Sequence, residues 1–313
     1  MEVIRNKNCY IGKGLVAAIG MFDGVHIGHQ TLLAGLKEKA CAAGLKSAVV
    51  TFSAHPQTVL HPCSGLRMIM TLEDRLKYLD EMGVDVAILM DFTPELSELE
   101  SKSFMELLHK RYGVQALVVG FNHRFGHAKD EYFEDYVAHG EALGVKVYRA
   151  CEYQGQYSPV SSSLIRKVIE EGKVDLAECY LGRPFELAGV VVHGKQNGRK
   201  IGFPTANLDV PSQLIIPHRG VYTVVVTLDN GVEYGGMANI GVRPTIEKGG
   251  ERTIEVNLFD FDGDLYDRTL KVRFVKFMRS EMKMGSLEEL KERLAIDKLA
   301  CTEELKKYKE NKK

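Results

Sequence analysis

A dominant charge is the first thing this sequence lacks. Forty-one Lys and Arg stand against 42 Asp and Glu, for a formal net charge of −1, so there is no basic field of the kind that binds nucleic acid broadly. A small anionic ligand needs only a local pocket, which this balance leaves open. Paired cysteines are lacking too. Cys9, Cys41, Cys63, Cys151, Cys179 and Cys301 are scattered without C-x-x-C spacing, which argues against a zinc knuckle or a thioredoxin-like site and for free thiols in a reducing compartment. The opening MEVIRNKNCY has no apolar core of a signal peptide, and no stretch reaches the ~20 apolar residues of a membrane span. Repeats, low-complexity tracts and a long flexible linker are also missing. The expectation is a soluble cytoplasmic protein with no nucleic-acid or membrane partner, a monomer or weak homo-oligomer.

What is present is ordinary globular composition, 45% hydrophobic and 27% charged over 313 residues, enough for two domains with separate cores. The two halves carry different periods. From Leu15 to about Leu181, short apolar runs (15–20, 47–52, 84–90, 116–120, 146–150) alternate with amphipathic stretches (30–44, 71–83, 101–112, 131–143). Strands separated by helices pair in parallel, because parallel strands need a crossover. This half is expected to be a doubly wound α/β domain, with ligands beyond the strand C-termini. After Phe185 come five strand-like runs, with hairpin chemistry at Asp229-Asn230-Gly231 and Asp262-Gly263. They suggest an antiparallel sheet or a small antiparallel barrel. A long terminal helix follows, opened by the capping box Ser286 to Glu289. The boundary is placed at Leu181-Gly182-Arg183-Pro184, giving domains 1–182 and 183–313.

The first strand-to-helix junction reads Gly20-Met21-Phe22-Asp23-Gly24-Val25-His26-Ile27-Gly28-His29. Glycines let the backbone approach a phosphate, the amides of a helix start favour anions, and two imidazoles three residues apart can stabilise charge developing on phosphorus. Rival readings are a packed, helix-capping histidine pair, or a zinc site completed by His55. Three further segments sit at strand ends or helix starts: Phe52-Ser53-Ala54-His55-Pro56, Gly120-Phe121-Asn122-His123-Arg124-Phe125-Gly126, and Ser161-Ser162-Ser163-Leu164-Ile165-Arg166. Taken alone, the three serines are equally a plain helix cap. In the second half, Gly194 to Gly202 is glycine- and lysine-rich and leads into Phe203-Pro204-Thr205-Ala206-Asn207. Thr205 and Asn207 alternate on an extended segment, point the same way, and offer oxygens suited to Mg²⁺.

Together these motifs resemble the prokaryotic bifunctional riboflavin kinase/FAD synthetase family. H-x-G-H is the nucleotidylyltransferase signature, G-x-P-T-A-N is the riboflavin kinase motif, and they occur in the expected order over nearly the whole chain. The resemblance implies a nucleotidylyltransferase-like first domain and a riboflavin kinase second domain. Riboflavin and ATP would give FMN, then FMN and a second ATP would give FAD, with Mg²⁺ accompanying ATP and flavins as substrates and products rather than bound redox groups. His26, His29, Arg166 and Glu255 are the implied catalytic residues, Glu255 as general base. Gly20, Phe22, Asp23, Gly28, Ser161, Ser162, Ser163, Gly194, Lys200 and Gly202 are the implied ATP and phosphate contacts. His55, Asn122, Arg124 and Phe125 are the implied flavin contacts, and Thr205 and Asn207 the metal ligands. The physics agrees with one base only: the FMN phosphate is already an anion, whereas the riboflavin 5′-hydroxyl must lose a proton.

The chain departs from the family pattern at several positions. Ser53-Ala54 replaces Asp-Pro in F-D-P-H-P, which removes a carboxylate. His123 follows Asn122 where Phe is usual. Asn257 and Asp267 stand where His or Thr, and Gly, are common, and both read as peripheral. An alternative therefore keeps only one activity, with the first half degenerate.

Overall fold

The structure, a computed structural model, describes residues 1–313 apart from 6–8, 11, 13, 121–123, 128–129, 195–197, 199–201, 243–251, 283 and 312–313. In chain order the first half contains β1 (Glu2–Arg5), β2 (Leu15–Ile19), α1 (Ile27–Ala43), β3 (Lys46–Phe52), α2 (Pro56–Leu60) and α3 (Leu72–Glu81). Then follow β4 (Val86–Met90), α4 (Pro94–Ser97), α5 (Ser101–Tyr112), β5 (Val114–Val119), α6 (Phe133–Leu143) and β6 (Lys146–Arg149). All strand pairings in this sheet are parallel, in the order β1-β4-β3-β2-β5-β6. The central strands are buried on both faces, as parallel strands covered by helices require. Alternate residues of β2 serve two cores. Val16 and Ala18 pack with Leu33 and Leu36 of α1 and Leu79 of α3, while Leu15, Ala17 and Ile19 pack with Phe104, Leu108 and Tyr112 of α5. This is the doubly wound arrangement expected.

The chain winds from β2 outward through β3 and β4, then returns to the other side of β2 with β5 and β6. The switch point therefore lies between β2 and β5, and the crevice beyond their C-terminal ends is where such sheets hold ligands. Two elements differ from expectation. β1, in a segment that carries no clear pattern, adds a parallel edge to β4. And α1 starts at Ile27 with His26 as its N-cap, earlier than the 30–44 stretch that the apolar period gives.

The second half contains α7 (Ser162–Glu170), α8 (Val174–Leu181), β7 (Phe185–Val192), β8 (Ala206–Asp209), β9 (Gly220–Thr227), β10 (Glu233–Val242), β11 (Arg252–Leu258), β12 (Thr269–Arg279) and a terminal helix α9 (Leu287–Glu310). The six strands close into an antiparallel barrel in the order β10-β11-β8-β7-β12-β9. Its interior is filled by Leu187, Ala206, Leu208, Tyr222, Val224, Ala238, Ile240, Ile254, Val256, Val272 and Phe274, all buried. Gly231, at φ 82°, turns the β9–β10 hairpin, as its Asp-Asn-Gly chemistry requires. Ser286 caps α9 by accepting from the Glu289 amide at 3.1 Å. On the barrel's outside, Val221, Val225, Met237 and Val275 meet Cys301 and Leu305 of α9.

The chain divides by contact into two compact units, Met1–Ser162 and Ser163–Lys313, so the division falls earlier than the 182/183 boundary drawn from the sequence. The physical reason is that no strand follows α7 or α8 into the parallel sheet. α8 instead packs on β7 and β12, and the Ile169 carbonyl accepts from the His218 amide at 3.3 Å.

Candidate active sites

The turn after β2 is held in an unfavourable backbone. Phe22 (φ 52°) and the β-branched Val25 (φ 39°) flank Gly24 (φ 83°) in the left-handed region, at a cost of about 1–3 kcal/mol for each non-glycine. Burial maintains it: Phe22 and Val25 are each 1% exposed. The Val25 amide donates to the Phe22 carbonyl at 3.0 Å, and Gln30 Nε2 donates to the Val25 carbonyl at 3.0 Å. The Asp23 carboxylate is fully buried and accepts from the Ile69 amide at 3.0 and 3.2 Å. That makes Asp23 a strut of the turn rather than a surface for a phosphate. The Gly20 amide is likewise engaged, donating to the Val50 carbonyl at 3.0 Å.

At the end of this turn the His26 and His29 rings stack, centroids 3.6 Å apart and planes 15° off parallel, with Phe22 tilted against His29 at 5.2 Å. His26 Nδ1 accepts from the His29 amide at 3.2 Å, so a neutral His26 carries its proton on Nε2. The helix-capping reading is thus realised for His26, together with an imidazole pair at a helix start. His29 capped in this way, and Gln30 bonded to the His26 carbonyl at 2.9 Å, leave Ile27 and Gly28 as the amides that helix geometry offers an anion. Of the serines, Ser161 and Ser163 are exposed, and the Ser162 hydroxyl donates to the Asp23 carbonyl at 2.8 Å. Arg166, four residues along α7, is buried and falls in the second compact unit.

Beside the switch point lies a cavity of about 280 Å³, near the lower end of the ~300–1,000 Å³ usual for ligand pockets. Ile19 and Met21 from the end of β2, Phe52 and His55 from the end of β3, and Phe92 after β4 line it. Leu96, Leu99 and Phe104 add to the wall, and Arg124, Phe125 and Gly126 after β5 close it. Three residues expected at a flavin, His55, Arg124 and Phe125, therefore share one largely apolar chamber. The fourth, Asn122, lies outside the described residues. Phe125 stacks on Tyr136 at 4.4 Å, and Phe52 meets Phe92 edge-on at 5.3 Å. Gly126, at φ 90°, packs so tightly on α5 that a Cβ would stand 2.5 Å from the Ser101 amide nitrogen. His55 caps α2 through Nδ1, accepting from Gln57 at 3.1 Å. Among the described residues no three His, Cys, Asp or Glu side chains gather where a metal ion could sit.

At the Ser53-Ala54 departure, a carboxylate is present after all. Ser53 Oγ donates to Asp91 Oδ1 at 2.7 Å, from the end of β4. Sequence position alone did not expose Asp91, because it arrives from a neighbouring strand.

In the barrel, Glu255 of β11 stands directly opposite Asn207 of β8 and, on its other side, Asn239 of β10. Their sequence neighbours Ala206, Leu208, Ile254, Val256, Ala238 and Ile240 point inward and are buried. These three polar side chains thus share the outer face in one row across three strands, with about 4.5–5.5 Å between facing Cβ atoms. Gly194 lies against the Asn207 amide group so closely that any Cβ there would collide with it. Thr205 is exposed just before β8. Gly202 turns with φ 81°, and the Phe203 amide donates to the Gly198 carbonyl at 2.9 Å. Lys200 lies outside the described residues. Asn257, read from the sequence as peripheral, is 5% exposed and donates from Nδ2 to the Pro204 carbonyl at 2.7 Å. It ties the Pro-Thr-Ala-Asn segment to the strand that carries Glu255. Asp267 sits at φ 60°, a conformation that explains glycine as the family's choice there.

A parallel α/β unit with paired histidines at its switch-point helix, joined to a closed antiparallel barrel with a glycine-flanked Thr-Ala-Asn segment, defines a nucleotidyltransferase-like domain fused to a flavokinase-type barrel. Residues 10–164 match the family model described as FAD synthetase, and residues 181–305 match the one described as riboflavin kinase. Curated relatives named bifunctional riboflavin kinase/FMN adenylyltransferase cover nearly the full length. The one from Bacillus subtilis is 37% identical over 90% of each chain, that from Pseudomonas fluorescens 38% over 92% of each, and that from Escherichia coli K12 36% over 96% of each. The chain belongs to the bifunctional riboflavin kinase/FMN adenylyltransferase family.

A solved structure from Streptococcus pneumoniae, titled a macrolide-efflux protein, superposes with a TM-score of 0.89. It is 31% identical and covers 96% of this chain and 99% of that one. That title names transport, whereas no helix among the described residues here is long and apolar enough to cross a membrane.

Proposed function

We propose that this chain phosphorylates riboflavin with ATP to give FMN and ADP, and adenylylates FMN with a second ATP to give FAD and pyrophosphate. The observation that carries this is the presence in one chain of both residue sets, each assembled on its own fold: the histidine turn beside the apolar chamber, and the Asn207–Glu255–Asn239 row on the barrel. The reading that one half is degenerate loses its main support, since Asp91 supplies a carboxylate beside Ser53.

In the first domain, the chamber takes the isoalloxazine ring against Phe125 and His55, with Arg124 as a polar contact and Asn122, which lies outside the described residues, in the role its motif implies. The amides of Ile27 and Gly28 and the two imidazoles face the triphosphate. Ser161 and Ser163 add hydroxyls, and Arg166 takes the charge-stabilising role its motif implies. The FMN phosphate attacks the α-phosphorus in line, and pyrophosphate leaves. No base is required, and catalysis is positioning with charge stabilisation.

In the second domain, Glu255 accepts the riboflavin 5′-hydroxyl proton while the oxygen takes the γ-phosphoryl group and ADP departs. Gly194, Gly202 and Lys200 take the phosphates. Thr205 and Asn207 fit a hard divalent ion, because their oxygens precede and face Glu255 on one polar strip, and Gly194 leaves room beside Asn207. Mg²⁺ held there supplies charge neutralisation for the triphosphate. The four exposed thiols, Cys9, Cys41, Cys63 and Cys151, suit a reducing cytoplasm.

The test is a time course from riboflavin, ATP and Mg²⁺ followed by chromatography, with a parallel sample in EDTA. FMN should rise and pass into FAD, and EDTA should stop both steps until Mg²⁺ is restored. FMN accumulating without FAD would favour the single-activity reading.

A further inference from the structure

A cation sits where the fold least favours one. Arg75 lies in the first turn of α3, next to a helix N-terminus whose dipole repels positive charge, and its side chain is 2% exposed. Burial pushes the guanidinium down to about 10, with Asp23 and Glu73 pulling it back up, so it is a desolvated charge at neutral pH. Residues of this kind are expensive unless every contact is used. Arg75 uses two. Nη1 donates to the Met21 carbonyl at 2.8 Å, and Nη2 donates to the Phe52 carbonyl at 2.6 Å.

Those two carbonyls lie at the ends of adjacent parallel strands, where the ladder stops. The last backbone bond between β2 and its neighbour runs from the Gly20 amide to the Val50 carbonyl. Beyond it, the chain from Met21 becomes the strained turn that ends at His26 and His29, and the chain from Phe52 becomes the His55 segment. Met21 and Phe52 themselves line the apolar chamber. The planar fork of Arg75 therefore spans the loop that carries the imidazoles and the wall of the flavin chamber, alongside Thr51 Oγ1, which donates to the same Met21 carbonyl at 3.3 Å.

We infer that Arg75 is a positioning residue for adenylyl transfer, holding the phosphate turn in register with the flavin chamber so that the two bound substrates meet in line. The inference rests on the adenylyltransferase reading of this domain. Arg75 spends its hydrogen bonds on two backbone carbonyls, so its loss should misalign the substrates without weakening either one's own contacts. A displacement near an ångström costs about 100-fold in rate.

The experiment uses the full-length protein carrying Arg75→Lys, which keeps the charge but cannot bridge two carbonyls with a planar fork. FAD formation from FMN and ATP is measured well below the unfolding midpoint, with KM and kcat separated for each substrate. The expected result is a kcat lower by about 100-fold with both KM values near wild type, and riboflavin phosphorylation unchanged. A folded Arg75→Lys protein with wild-type kcat overturns the inference and assigns Arg75 to stability alone. Should that variant not fold, Arg75→Gln, a neutral donor in the same place, is measured in the same way and judged by the same split. Failure of both to fold also overturns it. Wild-type protein that makes no FAD would instead sink the adenylyltransferase reading itself.

Discussion

Glu255 and Asn207 face each other across β11 and β8 in an antiparallel pair, and that one register position joins the proposed base to the proposed metal ligand. The two side chains are expected to fail differently. Glu255→Gln keeps the shape and removes the proton acceptor, so riboflavin phosphorylation should fall about 10²–10⁴-fold with riboflavin binding retained. Asn207→Ala removes a metal oxygen, so its loss should be relieved in part by raising Mg²⁺. Steady-state kinetics at several Mg²⁺ concentrations separates the two; an equal response from both variants would contradict the assignment.

His26 combines two jobs that mutation can divide. It caps α1 through Nδ1 and stacks on His29. His26→Asn preserves a good N-cap, so the melting temperature should hardly move while FAD formation collapses. His26→Ala should lose the activity and also about 1 kcal/mol of stability. Full activity in folded His26→Asn would reduce His26 to a capping residue.

Asn257 binds the Pro204 carbonyl from within the barrel wall. Asn257→Leu leaves that carbonyl without its partner, at a cost of about 1–3 kcal/mol, and frees the segment leading to Thr205. The expected outcome is a raised KM for Mg²⁺-ATP in riboflavin phosphorylation and no change in FMN adenylylation. A stability loss with an unchanged KM would show the bond to be structural only.

The α/β half was legible because its central strands are apolar runs buried on both faces, and its first long helix ends cleanly at Gly44. The histidine turn was legible because its residues are consecutive. What stayed hidden depends on contacts between distant residues. Arg75 finds its carbonyls 54 and 23 residues away, Asn257 finds Pro204 at a separation of 53, and Asp91 reaches Ser53 at 38. Each reads in sequence as an ordinary polar residue on a helix, strand or loop. The edge strand β1 escaped for a simpler reason: only one of its four residues is buried, so it shows no apolar run.

Cysteine reactivity follows from burial. Cys301 is fully buried, and desolvation holds its thiol above the usual range, so at neutral pH it remains protonated and shielded. A colorimetric thiol titration of native protein should label Cys9, Cys41, Cys63 and Cys151 readily, with Cys301 labelled only after denaturation. Rapid labelling of Cys301 in folded protein would mean that α9 does not stay closed over the barrel.

The most direct measurement pairs two variants in one tube. His29→Ala alone, given riboflavin and Mg²⁺-ATP, should stop at FMN, and Glu255→Gln alone should leave riboflavin largely unconverted. Mixed, the two proteins should make FAD, because FMN released by one barrel can be taken up by the other protein's intact α/β domain. A mixture that produces no FAD, although each variant is folded and keeps its remaining single activity, would contradict two independent sites served by exchangeable FMN.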